Sequence, residues 1–505
     1  MKPSLTNRQS IMFVLLAFFV WILVMSGCRC CTSHTTSWRE YIQPDSPGTR
    51  PAADPKNQLI VWRKPGYTND DSFNQWLDKL KQGGSVGINY FCSSCDSSLM
   101  MLTGPGVTSY ISGQTATGGK GSGGSGISGD DGPLYYAANF PVSYPPAYLS
   151  RLISYDSLKS SDSIGYRAVV GNACEFRGPA VKVAVFDTGI DSSQIIMHPF
   201  PLYHAPFGGG CIGGALLGWN FVSWTSNITD DNAERHGTTV TTFALDQVSM
   251  YCGDSIQFLA IKTHARDGSG DLFGVLCGFA YAAKMKVNIV NASFGYYTPR
   301  DSPFVSQIDT SATLLGAYVE HYLKRNNILL VAAAGNMDPS ERAILASYNK
   351  KYNNVPDSVL RNLDSVSFYP ACLARDSKFA NVLAVTTVFG SKSVSPHQNF
   401  SSGVVDVGVN ADRVQQDSLY LFNNPILRFA GSGVRVKTVE GSSFATPIVT
   451  GKICTHFYLY KNLFDSGPLN KWKILEILRS QGAVKPAPPA SPLYQKISNG
   501  NCMNK

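Results

Sequence analysis

The sequence predicts an α/β fold with a mostly parallel central sheet, preceded by a small α+β unit. Two observations carry that reading. The run Ile328 to Ala334 is apolar at every position, and Val181 to Phe186 at every position but Lys182, as strands buried on both faces of a parallel sheet are. Far upstream, Gln58 to Leu102 shows strand, helix and strand patterns within fewer than 50 residues, the pattern of a compact β-α-β unit.

Composition agrees. The chain has 505 residues, 15% charged and 44% apolar, with 43 basic against 35 acidic residues and a net charge of +8. That length suits two to four units, one with a substantial core. The composition excludes a disordered chain, a collagen-like fibre and a coiled coil. Only one apolar run approaches spanning length, which excludes a multi-span membrane protein. Lysine and arginine form no block or aromatic-interleaved stripe, so no nucleic-acid partner is expected. Twelve cysteines are too few for a disulfide scaffold and rather many for a cytosolic enzyme.

Ile11 to Met25 are uninterrupted apolar, with Lys2 and Arg8 before them. A cationic start, a short apolar run and small residues afterwards describe a secretory signal. The run is short for a transmembrane helix. It ends Val24-Met25-Ser26-Gly27-Cys28, which resembles the lipobox of bacterial lipoproteins. The expectation is a signal over 1–27 and a lipid on Cys28, giving an exported, membrane-anchored protein in the periplasm or at the cell surface. An ordinary signal peptide or an uncleaved anchor is the alternative. Residues 28–57 are polar, with Pro44, Pro47, Pro51 and Pro55, and read as a tether.

The small unit spans 58–103. Leu59-Ile60-Val61-Trp62 is a strand signal closed by Pro65-Gly66. Ser72 and Gln75 have capping-box spacing, and Phe73, Trp76, Leu77 and Leu80 then share one helical face. Val86 to Cys92 is a second strand and Leu99 to Leu102 a third. Cys92 and Cys95 form a Cys-x-x-Cys without a second pair at zinc-ligand spacing. A local disulfide or two buried thiols is the expectation. Residues 104–133 follow as a flexible linker; Gly104 to Gly132 holds 11 glycines in 29 residues.

The remainder, 134–505, carries the chemistry. The strand Val181 to Phe186 runs into Asp187-Thr188-Gly189, placing a carboxyl at a strand's carboxyl end, where α/β sheets keep their sites. Glu234-Arg235-His236-Gly237-Thr238-Thr239-Val240 opens a small, apolar helical stretch. A helix start favours a neutral imidazole, although a lone histidine is more often structural. Val287 to Gly295 reads as a strand opening into a glycine turn. Asn327 to Asn336 is another strand, ending on small residues and an amide. Gly441-Ser442-Ser443-Phe444-Ala445-Thr446-Pro447 puts a hydroxyl at a helix start, beside backbone N–H groups able to receive an oxyanion.

Together these segments resemble the subtilisin-like serine proteases. The family's Asp-Thr-Gly, His-Gly-Thr-x-Val, Ser-x-Gly, Ala-Ala-Gly-Asn and Gly-Thr-Ser-x-Ala-Thr-Pro signatures appear in the family's order, over about 180–482. The order Asp, His, Ser separates it from other triad proteases. The resemblance implies the three-layer subtilisin-like fold and a serine endopeptidase that forms an acyl-enzyme. Ser443 is then the nucleophile, His236 the base and acid, Asp187 its orienting carboxylate and Asn336 an oxyanion donor. Ser293, Phe294 and Gly295 bind the substrate backbone as an added strand.

By placement and pattern, the front unit resembles the family's propeptide, which assists folding and blocks the cleft. Polypeptides are the expected substrates, the lipid on Cys28 is the membrane contact, and the oligomeric state is open. No cofactor is required. Calcium is a structural ion in relatives, but no residues are assigned to it here and no metal ligand is named. The alternative is a catalytically inactive, subtilisin-fold binding lipoprotein. An acid-acting relative that uses Glu is disfavoured by His236.

Three departures stand out. Ser442 replaces the usual Thr. Thr241-Thr242 replaces the usual Ala-Gly and adds volume behind His236. Gly408-Val409-Asn410 replaces Ala-Pro-Gly, which leaves that turn open. Insertions near 197–219, 300–313 and 337–363 are expected at the cleft rim.

Overall fold

The computed structural model describes residues 52–65, 87–92, 95–108, 134–143, 151–154, 180–191, 211–212, 217–248, 256–298, 305–348, 350–389, 393–394, 396–401, 403–414, 419–428, 435–459 and 468–480. The expected signal, Cys28, most of the tether, the helix after Ser72 and most of the glycine-rich linker lie outside them.

The chain opens with β1 (Gln58–Arg63), β2 (Gly87–Cys92), β3 (Asp96–Thr103) and β4 (Leu134–Ala138), then β5 (Pro141–Ser143) and β6 (Arg151–Ser154). Next come β7 (Val181–Asp187), β8 (Gly218–Asn220), helix α1 (His236–Val248), β9 (Ile256–Lys262), β10 (Ser269–Asp271), α2 (Leu272–Lys284), β11 (Ile289–Ala292) and β12 (Tyr296–Thr298). Then follow α3 (Val305–Tyr318), β13 (Leu329–Ala333), α4 (Pro339–Tyr348), β14 (Ser367–Tyr369), β15 (Val382–Phe389), β16 (Ser393–Val394) and β17 (Val407–Asn410). The described chain ends with β18 (Asp412–Val414), β19 (Leu419–Arg428), β20 (Arg435–Val439), α5 (Ser442–Leu459) and α6 (Lys471–Ser480).

Seven parallel strands form the central sheet in the order β8-β9-β7-β11-β13-β15-β17, with β16 antiparallel on β15. Both faces are covered, as the unbroken apolar strands require. In β7, Val181, Val183 and Val185 pack with α1, α5 and α6, while Ala184 and Phe186 pack with α2 and α3. That is the period of two expected of a strand between two helical layers. The doubtful turn at Gly408-Val409-Asn410 is strand, lying in β17 and pairing with Thr386 to Val388. Lys471 anchors α6 through a buried ion pair with Asp406 at 2.9 Å and a bond to the Ala374 carbonyl at 2.8 Å.

The front sheet runs β2-β3-β1-β4 and is antiparallel. Its fourth strand, β4, follows the glycine-rich linker, so the sheet crosses the boundaries expected at 103 and 134. Ile60, Trp62, Leu99 and Met101 share one apolar cluster with α2 and α3. The sequence of α2 explains why. It is apolar all round and buried from Leu272 to Ala283, and such a helix needs cover on every side. The central sheet supplies one side and the front sheet another.

Asn139 joins the two layers. Its side-chain amide donates to Gln58 Oε1 at 2.7 Å and to Asp271 Oδ2 at 3.1 Å, and its Oδ1 accepts from Phe273 N at 3.1 Å. Asp271 in turn caps α2 through Gly274 N at 2.8 Å. A disulfide between Cys95 and Cys211 adds a covalent tie. It rules out the local Cys92–Cys95 bridge, because Cys95 is already bonded elsewhere. Cys277 also forms a disulfide, whereas Cys372 and Cys454 are buried thiols outside any disulfide.

Candidate active site

The parallel sheet brings three of the expected residues to one edge, and two helix starts carry two more. Asp187 ends β7, Ser293 follows β11 and Asn336 follows β13. The register pairs Phe186 with Ala292 and Ala292 with Ala332, so these strand ends are neighbours. His236 begins α1 and Ser443 is the second residue of α5.

The half around Asp187 and His236 is densely hydrogen-bonded. Asp187 Oδ1 lies 2.7 Å from His236 Nδ1, and both side chains are buried. Thr188 N donates to the same carboxylate oxygen at 2.8 Å. Close packing requires Gly237, since a Cβ there would lie 2.3 Å from the Gly189 carbonyl oxygen and 3.0 Å from Asp187 Cβ. Asn232 Oδ1 accepts from the backbone N–H groups of Glu234 and His236 at 3.1 and 3.3 Å. Arg235, just before His236, adopts a left-handed φ of 53°. The added volume at Thr241 and Thr242 fits because both hydroxyls bond back along the helix, to the Gly237 and Thr239 carbonyls.

Several supporting residues carried no signal in the sequence. Asp230 Oδ2 accepts from Thr238 N and Oγ1 at 2.8 and 2.7 Å, and its Oδ1 accepts from Thr188 Oγ1 at 2.8 Å. Burial raises its pKa, against these bonds. Lys262, at the end of β9, donates to the Thr188 and Thr229 carbonyls and to Asp231, fixing the turn after Asp187. His264 is a second buried histidine, 4.9 Å from the Phe294 ring. Burial pushes its pKa down to about 4, so it stays neutral at physiological pH. Asp230 and Asn232 sit in a polar stretch that reads locally as a plain turn, and Lys262 as a strand terminus. Their roles arise only from contacts across elements.

The nucleophile half is built around Pro447. Proline lacks an N–H, so the Ser443 carbonyl four residues earlier loses its helical partner. Ser293 supplies the replacement, with its Oγ donating to that carbonyl at 2.7 Å. In return Ser443 Oγ donates to the Ser293 carbonyl at 2.9 Å. The neighbouring Phe444 ring lies 5.1 Å from the His236 ring, so α5 packs against the base.

Ser442 positions Asn336. Its N–H and Oγ both donate to Asn336 Oδ1, at 3.1 and 3.0 Å. With Oδ1 engaged, the amide nitrogen is the end left to donate. That nitrogen would lie 3.0 Å from a Cβ on Gly441, whose φ is 130°, so glycine serves twice there, for space and for conformation. Gln398 Oε1 also accepts from Ser442 N, at 2.7 Å, another contact invisible in the sequence.

Gly295 presents its backbone to a strand. The partner is the chain's own β5: Ser143 and Gly295 exchange both backbone bonds, at 3.1 and 3.0 Å. On its other side β5 pairs with β10, Val142 facing Gly270. An extended segment of the chain itself therefore already pairs with Gly295, where the family resemblance expects a substrate strand. Phe294 is buried and packs on Phe186 and His264; among the described residues, Gly295 is the one of the three expected backbone binders that bonds to β5.

Comparisons with known proteins agree with this geometry. The sequence model of the subtilase family matches residues 178–464. Subtilisin DY of Bacillus licheniformis is 30% identical over 184 residues, covering 36% of this chain and 56% of that protein. The major intracellular serine protease of Bacillus subtilis is 30% identical over 194 residues, covering 35% of this chain and 50% of that protein. The match thus spans about half the length of these relatives. The crystal structure of an epidermin leader peptide processing serine protease from Staphylococcus aureus superposes with a TM-score of 0.54. It is 16% identical and covers 88% of this chain and 99% of that one, a likeness of fold. Sheet, motif order and family match converge: the chain belongs to the subtilase family.

Proposed function

We propose that this chain is a serine endopeptidase acting on polypeptides outside the cytoplasm, anchored to a membrane through lipid on Cys28. One observation carries the enzymatic reading: the buried 2.7 Å contact between Asp187 and His236 Nδ1, at the sheet edge where Asn336 lies and where Ser293 bonds to Ser443 of α5. The apolar run Ile11 to Met25 and the residues ending in Cys28 support export and anchoring.

Each residue has a step. Asp187 holds Nδ1–H, which leaves His236 Nε2 as the base. Ser443 Oγ turns from the Ser293 carbonyl, gives its proton to Nε2 and attacks the scissile carbonyl carbon. The resulting oxyanion is received by the Ser443 backbone N–H, in the first turn of α5, and by the Asn336 amide. Each such donor is worth about 3 kcal/mol in the transition state. The imidazolium returns the proton to the leaving amine. Water, deprotonated by the same nitrogen, then hydrolyses the acyl-enzyme. Among the described residues no group of three or more His, Cys, Asp or Glu side chains could hold a metal ion, and no step is routed through one. Because β5 lies along Gly295, the chain is made with its groove filled, and turnover of other proteins begins once β5 leaves.

Hydrolysis of unfolded casein by the wild type and by Ser443→Ala tests this. Mass spectrometry follows both for cleavage of the front segment and for lipid on Cys28. Loss on the order of 10⁶ in kcat is expected for Ser443→Ala. Equal, non-zero hydrolysis by both would overturn the mechanism. No hydrolysis by either would favour a binding protein on the same fold.

A further inference from the structure

The insertion at 337–363 brings two carboxyl groups to the groove that the mechanism does not use. Asp338 lies two residues beyond Asn336, and Glu341 is in the first turn of α4. Asp338 Oδ1 is saturated, accepting from Ser340 N and Oγ and from Glu341 N. Its Oδ2 is buried and has no partner among the described residues. Glu341 is also buried, and among the described residues no cation is paired with either group.

Glu341 faces the segment that fills the groove. Ser143 Oγ donates to Glu341 Oε1 at 3.2 Å, while the Ser143 backbone pairs with Gly295. The position that takes the place of a substrate residue is therefore read on its backbone by Gly295 and on its side chain by Glu341. Ser143 is half-buried, and its one-carbon side chain already spans the gap. A longer side chain would have to bend away.

We propose that Glu341, backed by Asp338, forms the subsite for the substrate residue that pairs with Gly295, and that this subsite selects serine or threonine. The proposal rests on the protease reading above and names its substrate preference. The electrostatic setting agrees with it. Burial, with Asp338 beside it, pushes Glu341 up to about 8, and Ser143 opposes the shift. Tyr297, on β12, is another titratable group near the pair, and burial raises its pKa well above the usual value. A protonated Glu341 favours a neutral hydroxyl. It also repays a hydroxyl over a methyl, because a buried acceptor without its donor is costly. An acidic side chain would meet two carboxyls.

Two measurements test this on the full chain. The first uses Ser443→Ala, so that no self-cleavage occurs, and follows amide exchange of Val142, Ser143 and Gly295. Ser143→Ala and Glu341→Leu should each speed exchange about tenfold, the double variant no further, and Ser143→Thr and Glu341→Gln little, since both keep the hydrogen bond. Additive effects of the two deletions would overturn the proposal, whether or not the chain is a protease. The second measures kcat/KM on peptides spanning 139–150 with residue 143 varied. Serine and threonine should exceed alanine and valine about tenfold in the wild type, and not in Glu341→Leu. A preference for lysine or arginine, or one unchanged by Glu341→Leu, would overturn it. An inactive wild type defeats the protease reading but leaves the exchange result readable.

Discussion

The central and front sheets are made of similar residues and held in different ways. β7 and β1 are both nearly unbroken apolar strands, yet β7 sits among parallel strands with a helical layer on each face, whereas β1 lies between two antiparallel partners. Helices that follow in the same stretch of chain help to cover the central sheet. The front sheet borrows its cover from α2 and α3 and its last strand from beyond the glycine-rich segment. Its stability is therefore joined to that of the large core, through the shared cluster around Trp62 and the Asn139 bridge. A unit that reads as separate in the sequence is one wall of a common interior.

The strongest way to break that comparison is Trp62→Ala. The indole is fully buried, stacks on Tyr135 at 5.5 Å and meets Tyr318 of α3 at 4.8 Å. Its loss should cost about 3–5 kcal/mol. Calorimetry should show one transition moving down as a whole. Two transitions, with the larger one unmoved, would mean that the front sheet folds apart from the core.

Removing the tie between the layers should have a smaller effect. Cys95→Ser with Cys211→Ser opens a link between residues 116 apart and should cost about 2–4 kcal/mol in denaturant unfolding. No change in midpoint would show that packing alone joins the layers.

The smallest effect, counted per pH unit, sharpens the junction itself, where Glu341 of α4 meets Ser143 of β5. Glu341 is held up to about 8 against an ordinary value of 4.5. Between those values the folded chain keeps a proton that the unfolded chain has lost. Its contribution is thus fully present below pH 4.5 and is lost as pH rises through about 8. Stability from this group should fall by up to about 1.4 kcal/mol per pH unit in that window. Urea unfolding from pH 5 to 8 should show the slope, and Glu341→Gln should flatten it. An unchanged slope would assign the pH dependence to another group.

How far the site could be read in advance follows from where each residue's partners lie. Asp187, His236, Asn336 and Ser443 stand beside small residues that permit close approach, such as Gly237 and Gly441, and close approach leaves a local pattern. Asp230, Lys262, Gln398 and Glu341 have partners on other elements, and nothing adjacent in the chain marks them. The all-apolar α2 was a missed clue: a helix without a polar face called for the front sheet that covers it. The departure at Gly408-Val409-Asn410 became strand because β15 offered an unpaired edge.

The sequence alone determined the α/β class, the strand and helix periods and the motif order, because these depend on neighbours within a turn of helix or a pair of strand positions. Tertiary structure decided the rest. It placed β4 in the front sheet, joined Cys95 to Cys211, let Ser293 replace the donor that Pro447 lacks, and laid β5 along Gly295 with Ser143 against Glu341. Each of these is a contact between residues far apart in the chain. Such contacts are chosen by the burial and pairing of the whole molecule rather than by any local preference.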